Sequence, residues 1–195
     1  MKKNKSKAKS KYAKDITQRR VEAYIIDWIL SGILIGLPEV LVYGALVKNG
    51  EVFKDLYSFA GRGFSSSWAY LCCALSFIIF VIYFVYIPVY KYPGQTLGKK
   101  IRKICVVDRD SNTPANLAHM CLREIVGLLV VEGVANIMGS FIRQTATLVT
   151  GFYIETYLLP VAYALTMVSA MMVYLSKNSL AIHDYIANTK VTAKD

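Results

Sequence analysis

The chain has 195 residues, of which 55% are hydrophobic and only 18% charged, with a net charge of +10. A soluble domain holds its charged fraction nearer a quarter and lacks long uncharged runs, so composition excludes an ordinary soluble domain. The excess Lys and Arg flank apolar runs, which points to membrane topology and against a nucleic-acid partner.

Residues 1–19 carry eight Lys/Arg against a single acid, Asp15, and nothing that can build a core. They are expected to form a disordered basic tail that touches anionic lipid. The basic region and the apolar run behind it are both too long for a cleavable signal peptide.

The first span is expected over residues 21–47 and contains Asp27. A carboxylate in hydrocarbon costs roughly 2.5–3.5 kcal/mol on insertion scales, so it is paired, buried in protein or functional. Arg20 lies about two helical turns earlier and shares a face with Asp27 and Ser31. Gly32 and Gly36 form a G-x-x-x-G that lets another helix approach closely, and they are the candidate contact for a second copy of the chain. Pro38 is expected to kink or end the helix, and Glu39 to be a solvated charge at the outer rim.

Residues 48–66 read as an outer loop with a short interfacial helix near 52–59. The second span, 67–90, has no charged residue and carries aromatic residues at both ends, as interfacial belts require. Residues 91–118 form a basic inner loop with six Lys/Arg and two acids. It is expected to carry a short amphipathic helix or a short strand, the strand over 103–108. Thr113 before Pro114 reads as a helix N-cap. The run Gly94-Gln-Thr-Leu-Gly-Lys-Lys100 looks like a phosphate loop, but it is one residue short and lacks the Ser/Thr after its lysine, so nucleotide binding is rejected.

The third span is expected over 117–138, with Arg123 and Glu124 near the inner interface and Glu132 near the middle. Glu132 is the second in-membrane carboxylate. Residues 139–152 read as an outer loop containing Arg143, and 153–175 as the fourth span with a kink at Pro160. The end of the chain holds His183-Asp184 and a segment, 189–192, suited to pair with 103–108.

Nineteen of the 23 Lys/Arg fall in segments 1–20, 91–109 with Arg123, and 177–195. That asymmetry places both termini and the middle loop in the cytoplasm. Runs of about twenty apolar residues without period-two alternation mean helices and not a barrel. The expected fold is an all-α, four-transmembrane-helix bundle, residues 20–192, behind the tail 1–19. The four cysteines form no CxxC pair and no histidine stands at metal-ligand spacing, so no metal or cofactor site is read. No nucleophile, base and acid share a pattern, so no enzyme is expected.

Three separated segments carry a family resemblance. They are Arg20-Val-Glu-Ala-Tyr-Ile-Ile-Asp27, then Gly94-Gln-Thr-Leu-Gly-Lys-Lys100 with Ile104–Asp108 and Leu122-Arg-Glu124, then His183-Asp184 with Ala187-Asn-Thr189 and Val191. In this order they resemble the RDD family of small bacterial membrane proteins and cover most of residues 20–192. The resemblance implies a multi-pass protein of the bacterial plasma membrane, with the naming arginine and aspartates at Arg20, Asp27 and Asp184. It also implies exchange of sodium or other cations for protons, as some members are thought to perform. Trp28 stands where the family usually has a small residue, and Glu22 where it is commonly apolar.

Two functions compete. In the first, an intramembrane carboxylate alternates between proton and cation, with Asp27 as that group and Glu132 as a second. In the second, Arg20, Asp27 and Asp184, with His183 and Arg123 nearby, form a buried polar network that pins the carboxy-terminal segment to the first helix. Arg20 sits about 10 Å along the helix from Asp27, so Asp184 or lipid phosphate is the expected partner of the arginine.

Overall fold

A computed structural model describes residues 2–48, 50–176 and 179–194, with side chains from Lys14 onward. The first helix, α1, spans Lys2–Val47. No glycine or proline precedes Gly32, and Lys, Ala, Arg and Glu all favour helix, so α1 extends back through the segment expected to be disordered. Pro38 lies inside α1 and does not end it.

An i, i+4 series sets the buried face of α1: Ala23, Asp27, Ser31, Ile35, Glu39 and Tyr43. Glu39 is therefore not a rim charge. It is fully buried, with Ser76 Oγ at 2.8 and 2.9 Å from its two oxygens.

A one-turn helix, α2 (Tyr57–Gly61), follows, slightly later than the interfacial helix expected near 52–59. It brings Phe59 edge-on to Tyr43, with ring centroids 5.4 Å apart. Helix α3 (Ser67–Lys91) packs along α1 and widens into π-helical turns over Ile82–Lys91, around Pro88. A short helix, α4 (Leu97–Ile101), and strand β1 (Ile104–Asp108) come next. Strand β1 pairs antiparallel with β2 (Thr189–Ala193), with Val106 opposite Val191.

Helix α5 (Leu117–Glu132) is capped by Asn116, whose Oδ1 accepts from His119 N at 3.0 Å. Thr113 is not the cap, because Pro114 is held in a bridge with Val107 of β1. The helix stops at Glu132. Gly133 takes φ +64°, a left-handed value that glycine adopts freely, and Asn136 caps α6 (Ile137–Thr150). The two helices meet at 62°, so the third crossing is broken and not the straight span expected over 117–138. The stretch expected as an outer loop is largely α6. Arg143 is buried on that helix and donates from Nη1 to the Gly133 carbonyl at 2.7 Å.

Helix α7 (Ile154–Leu175) continues through Pro160, and α8 (Ile182–Ile186) precedes β2. Three stretches, Lys14–Val47, Ser67–Lys91 and Ile154–Leu175, are long and apolar enough to cross a membrane. The bent pair α5–α6 makes a fourth if it counts as one span.

Two apolar cores hold the bundle. One, at the end that carries the two-stranded sheet, gathers Ile104, Val106 and Val191 around Ala23 and Met120. The other packs Ile35, Tyr43, Phe80 and Phe141 between α1, α3 and α6. The polar groups described next lie between and beside these cores.

Candidate functional site: three buried carboxylates around one cavity

Asp27 is saturated. Its Oδ1 accepts from Tyr83 Oη at 2.6 Å and Gly98 N at 2.8 Å. Its Oδ2 accepts from Thr96 Oγ1 at 2.5 Å and lies 4.0 Å from Lys99 Nζ. Thr96 is the N-cap of α4, so Asp27 takes up donors at the start of that helix and ties it to α1. The close fit depends on Gly98: a Cβ there would stand 2.3 Å from the Ala23 carbonyl oxygen.

Asp184, fully buried, bridges two arginines. Arg20 Nη2 lies 2.7 Å from Oδ2, and Arg123 Nη1 donates to Oδ1. Ala181 N adds a bond to Oδ2 at 2.8 Å. Arg123 also reaches Glu124 at 3.1 Å and Thr189 Oγ1 at 3.1 Å, while Arg20 donates to the Ser179 carbonyl. Burial pushes the Asp184 carboxyl up, but the Arg123 and Arg20 guanidiniums outweigh it and hold the group well below the usual carboxylate range. The cluster joins α1, α5 and α8.

Glu132 is different. It ends α5 at the break, and its hydrogen bonds all fall on one oxygen. Oε1 receives Ser169 Oγ at 2.7 Å, the His183 backbone N at 3.4 Å and His183 Nδ1 at 2.7 Å. His183 Nδ1 is the donor to Oε1 when Glu132 is ionised. No hydrogen bond to Oε2 occurs among the described residues.

A partly open cavity of about 360 Å³ lies between α1, α5 and α7, with mostly apolar walls. Asp27, Lys99, Arg20, Arg123, Glu132 and His183 all border it. Ser31 Oγ and Asn136 Nδ2 also belong to its lining, and neither makes a hydrogen bond among the described residues.

Arg20, Arg123 and Asp184 thus form one cluster, Glu132 and His183 a second, and Asp27 stands apart with α4. The two histidines do not meet. His119 Nε2 instead lies 3.2 Å from Asp108 Oδ2 at the start of the polar turn. The Asp108 carboxyl is held low, chiefly by the Ser111 backbone N–H. Tyr83, Ser169 and Ser179 went unread in the sequence as site residues. Each is a neutral partner in an apolar or polar run that carries no local signal. Among the described residues, no group of three or more His, Cys, Asp or Glu side chains could hold a metal ion.

A family model described as the RDD family matches residues 17–188. No curated protein and no solved structure matches the chain. The match covers most of the sequence, and the chain belongs to the RDD family.

Proposed function

We propose that this RDD family membrane protein exchanges protons for small cations at Glu132, while Arg20, Asp27 and Asp184 serve as its framework. The carrying observation is the contrast between two carboxylates. Asp27 spends both oxygens on donors from α3 and α4, whereas every bond to Glu132 falls on Oε1 and its side chain borders the cavity. A group that alternates between proton and cation needs an oxygen its scaffold has not claimed. The broken helix supports the same reading, since interrupted helices are where transporters place ion sites. His183 offers a second titratable group at hydrogen-bond distance.

The framework reading of Arg20 and Asp184 rests on their span. They lie 164 residues apart in sequence and tie α8 to the first helix. The protein sits in the bacterial plasma membrane with its basic end, the end of α4 and the two-stranded sheet, in the cytoplasm. The Lys/Arg asymmetry supports that orientation. Anionic lipid meets Lys100 and Arg102 there, and Gly32 and Gly36, open on the outer face of α1, offer the contact for a second copy.

The test is proton movement in liposomes carrying the purified protein, driven by sodium, potassium or lithium gradients. Glu132→Gln is expected to abolish flux, and a folded Asp27→Asn to retain most of it. The opposite pattern would return the exchange site to Asp27. No flux above empty liposomes would leave the polar network as an accessory scaffold alone.

A further inference from the structure

We infer that the cavity between α1 and α7 binds a lipophilic organic cation, its charge beside Glu132 and its apolar body against Tyr24, Trp28 and Val173. The inference rests on Glu132, which, unlike Asp27 and Glu124 on the same cavity, faces no arginine or lysine among the described residues. It names a class of ligand that composition alone would not suggest.

The cavity has the volume and the mostly apolar walls of a small-molecule site, with a few polar groups converging on it. Its charges decide the sign of the ligand. Each bordering cation already has a carboxylate: Arg20 and Arg123 hold Asp184, and Lys99 faces Asp27. An anionic headgroup would meet cations already neutralised by carboxylates and would be repelled by Glu132. Glu132 has only the His183 imidazole and neutral donors, all on Oε1. A positive charge entering the cavity meets an acceptor there without displacing any bond.

The way in is lateral. Helix α7 packs on α5, α6 and α8, while α1 packs chiefly on α3 and α4, and α6 touches both, so the cavity lies between two helices joined mainly through their neighbours. Trp28 of α1 and Tyr174 of α7 border it and are 55% and 67% exposed. Aromatic faces at a cavity mouth attract cations, and a lipophilic one reaches them from the membrane.

The experiment is equilibrium binding of radiolabelled tetraphenylphosphonium to the full chain in phosphatidylcholine nanodiscs, with labelled laurate as an anionic amphiphile in parallel. Saturable tetraphenylphosphonium binding is expected, weakened about tenfold or more by Glu132→Gln. Trp28→Ala, at an exposed position that leaves both cores intact, is expected to weaken it about threefold. Should Glu132→Gln fail to fold, Trp28→Ala carries the test alone. The inference is overturned if wild type shows no saturable binding of the cation, if laurate binds in its place, or if neither folded variant weakens binding. Binding is read without any ion gradient, so it can fail while sodium-driven flux stands, and the reverse.

Discussion

The backbone N–H of Gly98 lies 2.8 Å from Asp27 Oδ1, and this contact leaves no room for a side chain. A methyl group on Gly98 would stand 2.3 Å from the Ala23 carbonyl oxygen and 2.8 Å from Asp27 Cγ. Gly98→Ala must therefore lift α4 off α1 and pull its N-terminus from the carboxylate. A loss of about 1–3 kcal/mol is expected. Thermal unfolding of the purified protein in detergent measures it, and an unchanged midpoint would refute the close fit.

Asp27 itself is expected to show a graded series. Asp27→Ala strands the donors of Tyr83, Thr96 and Gly98, and each stranded buried donor costs about 1–3 kcal/mol. Asp27→Asn keeps one acceptor oxygen and loses less. The midpoints should rank wild type, then Asn, then Ala. Equal losses in the two variants would mean the negative charge, and not the hydrogen bonding, matters.

Asp184 predicts an acid limit. Its carboxyl pKa lies below the unfolded value of about 3.9, so its contribution to stability is complete above that value and drains away as pH falls toward the folded value. Asp184→Asn leaves the buried Arg123 and the partly buried Arg20 without their shared partner, at a cost of about 3–5 kcal/mol near neutrality. The gap between wild type and variant should hold steady down to about pH 5 and narrow below about pH 4. Unfolding midpoints across that range decide it; a gap that widened with acid would contradict the assignment.

Gly127 offers a way to disturb Glu132 without changing an ionisable residue. A Cβ on Gly127 would lie 2.6 Å from His183 Cβ and 2.8 Å from His183 Cα. Gly127→Ala should push α8 outward, open the Glu132–His183 contact and destabilise the fold by about 1–3 kcal/mol. Proton flux should fall with it. Full flux in this variant would show that the imidazole is not needed beside Glu132.

The membrane character was legible in the apolar runs, because a bilayer demands length and composition above all. Six polar residues that stand out in the sequence, Arg20, Asp27, Arg123, Glu132, His183 and Asp184, border the cavity or join its clusters. Their pairing was harder to read. Asp27 meets donors 56, 69 and 71 residues away, at positions that look unremarkable in the sequence. Glu39 was misplaced by its nearness to the end of the span; it lies three i+4 steps beyond Asp27, on a buried stripe that winds round α1. The break after Glu132 hides from hydropathy, which counts apolar residues but does not see the bend at Gly133.

The bond between Arg20 and Asp184 also sets an order of events during synthesis. When α1 enters the membrane, the ribosome has yet to make Asp184, 164 residues downstream, and Tyr83, Thr96 and Gly98 also come later. The nascent helix must therefore wait with an arginine and an aspartate uncompensated while the following helices arrive. A chain cut short before residue 179 would keep its apolar helices and lose the acid that secures the first one.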